Sequence, residues 1–215
     1  NNTAIGKEAL TALTSGTSCT AVGHIAGFSH TTGNNLTAIG RGAAYANTSG
    51  AENTGIGAGA LFDNTTGGSN TAVGRLALEN NTTASNNTAV GKSSLAANTT
   101  GTGNVAVGAN ALDANTTAND NIAIGYNSLT ANTTGTLNIG IGSLAGDAIT
   151  TGNQNIAIGY RSLSANQTGG QNIAIGVDAL KLSTADNNTA VGYDTLKANT
   201  TGANNVAVGS LTLDA

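Results

Sequence analysis

A glycine recurs thirteen times along the 215-residue chain, seventeen residues apart at every step except one step of sixteen. Ile or Val precedes it in every copy, and the residue before that is Ala except at Gly55 and Gly140. Leu follows four residues after the glycine in ten copies. A fixed short period is typical of stacked repeats, so the chain is thirteen copies of one small unit and not an ordinary globular domain. The repeat glycines are Gly6, Gly23, Gly40, Gly57, Gly74, Gly91, Gly108, Gly125, Gly142, Gly159, Gly176, Gly192 and Gly209.

The period also constrains the type of secondary structure. Seventeen residues are too few for the helix pairs of common α-solenoids, whose repeats span about 33 to 47 residues. Segments such as NTAVG at 70–74 alternate side chains with period two, and their β-branched residues favour a strand. A second apolar segment, SL or AL, follows, and then a polar turn such as NTTG at 64–67. The sequence therefore predicts an all-β fold, a β-solenoid (β-roll) of about thirteen 17-residue coils with two short strands per coil.

Stacking in register predicts how the columns pack. The Ile/Val residues before the glycine would form one apolar ladder and the Leu residues another, while the Asn before each strand would form an amide ladder. Where Gly27 and Gly146 interrupt the Leu column, Ile25 and Leu144 are predicted to refill the core. The sixteen-residue step falls in KLSTADNN at 181–188, so the loss is expected in a loop. With coils about 4.8 Å apart, the predicted rod is on the order of 60 Å long.

The repeats run through residues 1–215 as a single continuous array, with no atypical unit at either end. Repeat arrays need polar caps to prevent end-to-end association. We therefore expect a segment of a longer fibre protein or a fibre subunit that stacks on others.

Composition argues against several classes of protein. Charged residues make up 8% of the chain and aromatic residues 3%, and the net charge is −4, with seven Lys and Arg residues spread over the length. This pattern predicts no basic patch for phosphate backbones and no nucleic-acid partner. No apolar run approaches the roughly 18 to 20 residues of a membrane helix, so no membrane span is expected. The single cysteine, Cys19, excludes an internal disulfide.

With NTAVG, the Leu and the NTTG turn in place, the whole chain resembles the repeats of bacteriophage tail-fibre and related adhesin-like proteins, of the form NTAVGxxALxxNTTGxxN. It is more distantly similar to the head repeats of trimeric autotransporter adhesins, whose SVAIG-type strand lies in a shorter unit. The second resemblance implies a left-handed β-roll, three parallel copies packed along a common axis, and attachment to surfaces. Neither resemblance implies catalytic residues.

Asn-x-Ser/Thr recurs at the polar turn in many copies. On a glycosylating secretory route these residues would form a row of acceptors on exposed turns. The alternative is that Asn and Thr are simply turn residues. The candidate acceptors are Asn47, Asn64, Asn81, Asn98, Asn115, Asn132, Asn166 and Asn199.

Other candidate sites are weaker. The Thr residues of the turns stack into rows that would suit ice binding, although a turn is a poor place for a flat face. Tyr126, Tyr160 and Tyr193 follow the glycine directly and offer either stacking platforms for sugars or plain surface aromatics. Cys19 lies close in sequence to two histidines, but zinc sites usually need four ligands and a fourth is not evident, so no metal site and no cofactor are expected.

The third residue before the glycine is Thr in the first six copies and mostly Ile or Val afterwards, which predicts an apolar partner surface towards the C-terminal half. The carboxylates fall at different phases of the repeat, so no catalytic group of residues is predicted and we expect no enzyme.

The sequence thus favours a structural or adhesive rod of an extracellular, cell-surface or virion fibre. The expected partners are further copies, as a homotrimer or an end-to-end fibre, and a cell-surface or glycan receptor. The alternatives are a glycosylated surface filament stacked end to end and an ice- or glycan-binding solenoid.

Overall fold

The computed structural model describes residues 1–213 and shows an all-β chain wound as a β-solenoid, which confirms the predicted fold class. Each coil contributes one three-residue strand. The chain falls into two compact units, Asn1–Val107 and Gly108–Ala215, which we name unit 1 and unit 2. Positions within a coil are counted from the repeat glycine at position 0, so the strand occupies positions −3 to −1.

Unit 1 contains seven strands, each paired in parallel with the next in sequence order. Every residue faces its counterpart seventeen residues further on, as Thr20 faces Thr37. The strands are β1 (Thr3–Ile5), β2 (Thr20–Val22), β3 (Thr37–Ile39), β4 (Thr54–Ile56), β5 (Thr71–Val73), β6 (Thr88–Val90) and β7 (Val105–Val107).

Unit 2 contains six strands with the same parallel pairing. They are β8 (Ile122–Ile124), β9 (Ile139–Ile141), β10 (Ile156–Ile158), β11 (Ile173–Ile175), β12 (Thr189–Val191) and β13 (Val206–Val208).

The repeat glycines lie where the backbones of adjacent coils approach most closely. Gly23 has a φ of 136°, and a Cβ placed there would lie 2.6 Å from the carbonyl oxygen of Gly40. Gly142 in unit 2 has a φ of 129°, and its Cβ would lie 2.7 Å from the oxygen of Gly159. An L side chain is therefore excluded both by conformation and by space, which explains why the period is marked by glycine.

The middle residue of each strand points into the solenoid and its two neighbours point outward, as the alternation of a strand requires. Ala72 is fully buried, whereas Ile56 is 37% exposed and Ile124 is 40% exposed. The predicted core ladder of Ile/Val before the glycine is therefore wrong. The small alanine is the core residue because the Leu at position +4 already fills the narrow interior: a Cβ at Gly55, in the alanine column, would lie 3.7 Å from Cδ1 of Leu61.

The second strand predicted for each coil is not a strand within residues 1–213. Its residues at positions +2 and +4 have positive φ, for example 59° at Leu76 and 54° at Leu61. The segment still bonds coil to coil, since Leu61 N–H donates to Ala77 O at 3.0 Å. A left-handed conformation costs about 1–2 kcal/mol for an L residue. Complete burial of a Leu side chain returns about 1.5–3 kcal/mol, which outweighs that cost or balances it.

In unit 1, Leu36 refills the core beside Gly27. Leu36 replaces the Asn before the strand and is fully buried, and a Cβ at Gly27 would lie 3.4 Å from its Cδ2 atom. Ile25, which the sequence predicted for this role, is only half-buried. The prediction is wrong because position +2 faces outward.

In unit 2, Ile149 plays the same part beside Gly146. Ile149 replaces the Asn of the turn and is fully buried, and a Cβ at Gly146 would lie 2.9 Å from its Cδ1 atom. Leu144, the predicted replacement, is half-buried on the outer side.

The sixteen-residue step in unit 2 shortens one turn and keeps the register of β11 and β12. Asn172 Nδ2 donates to Ala185 O at 2.9 Å, just as Asn155 Nδ2 donates to Gly169 O at 2.9 Å. Ala185 thus takes the place of the turn glycine and follows Thr184 directly. The lost residue is the second threonine of the turn, an exposed position in other coils, so the prediction of a loop deletion is confirmed.

Candidate functional site

The predicted glycosylation acceptors form the position +7 column, and the structure places their side chains inside the solenoid. Seven are fully buried and Asn199 is half-buried: Asn47, Asn64, Asn81, Asn98, Asn115, Asn132 and Asn166 have no exposed surface. The prediction that these side chains lie exposed on the turns is therefore wrong. A glycan on such an amide would have to occupy the core.

These amides bond along the column. Asn64 Nδ2 donates to Asn47 Oδ1 at 2.7 Å and to Gly67 O at 2.9 Å, and its own Oδ1 accepts from Asn81 at 2.7 Å. An amide can serve here because it carries both donors and acceptors. The column is thus a structural ladder that satisfies buried turn carbonyls.

The Asn before the strand forms the predicted amide ladder in the coils that carry it. Asn53 Oδ1 accepts from the backbone N–H of Asn70 at 2.9 Å, and Asn53 Nδ2 donates to Gly67 O at 2.7 Å. Gly67 O therefore receives donors from both ladders. The two columns join the turn to the strand in each complete coil.

Ile149 interrupts the +7 ladder in unit 2. It offers neither a donor nor an acceptor, and the Oδ1 atom of Asn132 is buried without a hydrogen-bond partner among the described residues. Neither side-chain polar atom of Asn166 has a partner either, since Asn166 lies between Ile149 and Ser183, which replaces the Asn of the following coil. Refilling the core beside Gly146 therefore costs one ladder bond on each side of Ile149.

The inner threonine row, at position +8, is also structural. Thr48 Oγ1 donates to Thr65 O at 3.0 Å, and Thr65 Oγ1 donates to Thr82 O at 2.9 Å. These hydroxyl groups are used within the solenoid. Only the outer row, which includes Thr66 and Thr83, is exposed, and this weakens the ice-binding alternative.

Cys19 and His30 meet in the interior of unit 1, with 3.5 Å between Sγ and Nε2. His30 occupies the +7 column: its Nε2 lies 2.8 Å from Gly33 O, and its Nδ1 lies 2.9 Å from Asn47 Nδ2. Because the carbonyl only accepts and the amide nitrogen only donates, the ring is a neutral tautomer with hydrogen on Nε2. Burial lowers the pKa of His30, and its hydrogen bonds oppose that shift. His30 thus substitutes for Asn, while His24 lies exposed at position +1.

Position +1, directly after the glycine, differs between the units. In unit 2 it carries Tyr126, Tyr160 and Tyr193, which are 55%, 44% and 55% exposed. In unit 1 it carries every Lys and Arg residue of that unit together with His24. This basic row consists of Lys7, His24, Arg41, Arg75 and Lys92, with Ala58 in the one remaining coil.

The basic row corrects the expectation that the cations are spread without pattern. Stacking in register brings its members onto one line, about 4.8 Å apart per coil. Lys7 lies 3.8 Å from Glu8, but Arg41, Arg75 and Lys92 have no ion pair within residues 1–213. These three side chains are exposed.

The cations of unit 2 are all paired. Arg161 makes two bonds to Asp178, at 3.0 and 2.9 Å, and lies 4.7 Å over the ring of Tyr160. Lys181 lies 3.5 Å from the same carboxylate, and the other lysine, Lys197, lies 2.9 Å from Asp194. The positive charge of unit 2 is therefore neutralised locally.

A cleft of about 300 Å³ lies beside the basic row in unit 1. It exists because position +2 is glycine in two successive coils, Gly42 and Gly59, and so carries no side chain between Ile25 and Leu76. A Cβ at Gly59 would lie 2.8 Å from Leu76 Cδ2. The remaining lining residues are Arg41, Ala58, Phe62, Arg75 and Glu79.

Phe62 is the last ring of a short aromatic stack at position +5. Its ring centroid lies 4.9 Å from that of Tyr45, which in turn lies 5.3 Å from Phe28, with interplanar angles of 10° and 11°. Tyr45 is thus covered on both faces. The stack holds Phe62 in place at the wall of the cleft.

The outer face of the sheet is apolar in unit 2. Positions −3 and −1 of β8 to β11 are all isoleucine, whereas β1 to β6 of unit 1 carry Thr at −3. We name this set the isoleucine face: Ile122, Ile124, Ile139, Ile141, Ile156, Ile158, Ile173 and Ile175. All are exposed or half-buried. The prediction that position −3 lies on an outer surface is confirmed.

Within residues 1–213, no three His, Cys, Asp or Glu side chains are grouped so that they would hold a metal ion. The same residues contain no apolar helix of membrane-crossing length. In comparisons with known proteins, no family model, no curated protein and no solved structure matches the chain.

Proposed function

We propose that this protein is a structural and adhesive segment of an extracellular, cell-surface or virion fibre, without catalysis. The observation that carries the proposal is that the inward and outward positions of each coil have different roles. Backbone ladders, two asparagine ladders and the inner threonine row use the buried polar groups to hold coils together. The outward positions +1, +2 and +5 vary widely in charge, size and aromatic character, and position −3 changes from Thr to Ile or Val.

Such a molecule works through geometry. Continuous ladders resist bending and local opening, because each coil buries the polar and apolar groups of the next. Repeated outward side chains present the same weak contact many times, and linked weak contacts give avidity. A fibre that holds its ends apart and adheres along its length needs both properties.

The proposal is tested on the assembled fibre. Aligned fibres of the full chain should diffract at about 4.8 Å along the fibre axis, the spacing between stacked strands. Electron micrographs should show thin filaments. Compact isolated particles without this reflection would contradict the fibre role, and hydrolysis of a polysaccharide that a single substitution abolishes would contradict the absence of catalysis.

Self-association with further copies of this chain is proposed through the isoleucine face. The four strands of the isoleucine face, with three residues each, cover roughly 200 Å², so two copies would bury roughly 400 Å² there. Stable interfaces bury about 1,200–2,000 Å². The face by itself therefore suits weak association that depends on concentration, as expected for lateral contacts between fibre chains.

Threonine substitutions test this contact with a built-in control. Thr occupies position −3 of β1 to β6, so the quadruple variant I122T/I139T/I156T/I173T uses a residue that the fold accepts there. We expect sedimentation equilibrium to show weaker association for the variant at unchanged melting temperature. Unchanged association would show that the contact between copies does not use the isoleucine face.

A further inference from the structure

The side chains of the basic row have no part in holding the coils together among the described residues, since only their backbone carbonyl groups bond to the next coil. Arg41 and Arg75 are exposed, have no ion pair among residues 1–213, and line one cleft from either side of Ala58. They are two coils apart, or about 10 Å. Two unpaired guanidinium groups beside a cavity are the arrangement of a site for an acidic ligand.

We propose that this cleft binds a carboxylate-bearing sugar residue of an acidic polysaccharide, whose chain continues along the basic row. The inference deepens the adhesive part of the proposed function and rests on it. It names the class of ligand, a polyuronate or a similar acidic glycan, and the residues that would recognise it.

The lining residues match the parts of such a sugar. A guanidinium group binds a carboxylate through two parallel hydrogen bonds, which Arg41 or Arg75 can supply. Glu79 accepts hydrogen bonds from sugar hydroxyl groups, and Phe62 offers an apolar surface to the C–H face of a ring. A volume of about 300 Å³ is at the lower end for small-ligand pockets and suits one sugar residue.

The rest of the basic row extends the contact beyond the cleft. Lys92 lies one coil beyond Arg75, and His24 lies one coil before Arg41, so polar basic residues occupy this position in every coil of the row except that of Ala58, at about 4.8 Å per coil. A linear chain with a carboxylate on each sugar can meet several of them at once, and linked contacts add avidity.

A single-stranded nucleic acid fits less well. Binding of single strands uses aromatic faces on which bases stack. Here the rings of Phe28, Tyr45 and Phe62 stack on one another, and Tyr45 has neither face free.

The test fills the cleft without changing charge. In the Gly59→Asn variant, Asn occupies position +2 with positive φ, as Asn110 and Asn127 do in unit 2 at 56° and 52°. The backbone conformation therefore accepts Asn, and only the end of the Leu76 side chain, whose Cδ2 would lie 2.8 Å from the new Cβ, has to move. Gly59→Ser, which copies Ser93 at φ 54°, is a second filling variant should the first fail to fold.

The probe is a hexamer of galacturonic acid, titrated calorimetrically at low salt into the full chain, with the neutral galactose hexamer as control. We expect the acidic hexamer alone to bind. Losing a charge-assisted hydrogen-bond pair should weaken binding at least about tenfold in R41Q/R75Q. Gly59→Asn should weaken it similarly, while Lys92→Gln, which removes a charge of the same row outside the cleft, should change it about threefold or less.

Three outcomes would overturn the site. The first is no binding of the acidic hexamer by the wild-type chain, which leaves the diffraction test of the fibre unaffected. The second is equal binding by wild type and folded cleft-filling variants. The third is tighter binding of a thymidine hexanucleotide that Gly59→Asn leaves unchanged, which would mark the row as a nucleic-acid surface.

Discussion

Unit 1 and unit 2 repeat the same type of coil, and they differ in the side chains that this coil places on its outer surface. Unit 1 carries four Lys or Arg and four Asp or Glu residues, with its cations on one line and mostly unpaired. Unit 2 carries three Lys or Arg residues and seven Asp or Glu residues, and its cations are paired. The outer face of its sheet consists mainly of isoleucine. The same glycine, alanine and asparagine columns support both. The comparison teaches that the solenoid core and its outer surface vary independently, because they occupy different positions of the coil.

The repeat glycine should be equally indispensable in both units, and its replacement should have the largest effect. Gly40→Ala in unit 1 and Gly142→Ala in unit 2 each combine an unfavourable φ with a collision against the next coil. We expect each to cost about 3 kcal/mol or more of unfolding free energy. Chemical denaturation measures the loss. A small effect in one unit alone would show that the two cores are not equivalent.

The core of unit 2 beside Gly146 should show strong coupling between two positions. Gly146→Leu alone collides with Ile149, and Ile149→Asn alone leaves a cavity, so each should destabilise by about 1–3 kcal/mol. The double variant restores the Leu and Asn of other coils, and Leu tolerates the φ of 58° found here.

The double variant should therefore be close to wild type, with a coupling energy of about 2 kcal/mol. A double-mutant cycle by denaturation gives this value. Additive losses would mean that Ile149 does not stand in for the missing Leu.

The asparagine ladder should matter more where it is complete. Asn64→Ala in unit 1 removes three good hydrogen bonds and leaves buried groups unpaired, at a cost of about 2–3 kcal/mol. Asn132→Ala in unit 2 removes one bond of 2.9 Å and a longer one of 3.3 Å, and its Oδ1 is already without a partner. It should cost about 1 kcal/mol less. Equal losses would contradict a local role for the ladder.

The smallest expected effect is a pH dependence of unit 1 in the range where histidine titrates, since this unit contains both histidines. The pKa of His30 is lowered in the folded state, so the unfolded chain binds the proton more readily. Stability from neutral His30 is complete above its ordinary pKa of 6.5 and is lost as the pH falls below it.

The protection factors of unit 1 amides, which correct exchange rates for the intrinsic effect of pH, should therefore fall below pH 6.5 in the wild type. His30→Asn, which places the ordinary residue of the column there, should remove this change. Persistence of the acid effect in the variant would assign it to another group.

Much of the coil was predictable from the sequence, since stacking repeats any local rule along the whole chain. NTAVG correctly indicated a strand, the missing residue of KLSTADNN lies in a turn, and the Asn before the strand forms its ladder. The incorrect predictions concern the direction in which side chains point. Whether Ile56 or Ala72 faces inward depends on what fills the other side of a narrow coil, and the positive φ of Leu61 contradicts ordinary residue preference.

The candidate site was less predictable. Asn64 lies in a polar turn sequence that normally indicates exposure, yet its amide is buried because turn carbonyls point inward and need a donor. Arg41 and Arg75 are 34 residues apart, and only the register of the coils makes them neighbours along one row. Gly42 and Gly59 look like ordinary turn glycines until the columns are aligned.

The sequence by itself determined the repeating unit, the number of repeats and their stacking. A seventeen-residue period with a glycine at one fixed position leaves few other ways to bury Leu and Ala. Only the tertiary structure decided which side of each strand is the core, which asparagines are internal, and which charges share a line. Those outcomes depend on the space left between elements of one coil and on contacts between coils. No local pattern of residues contains that information.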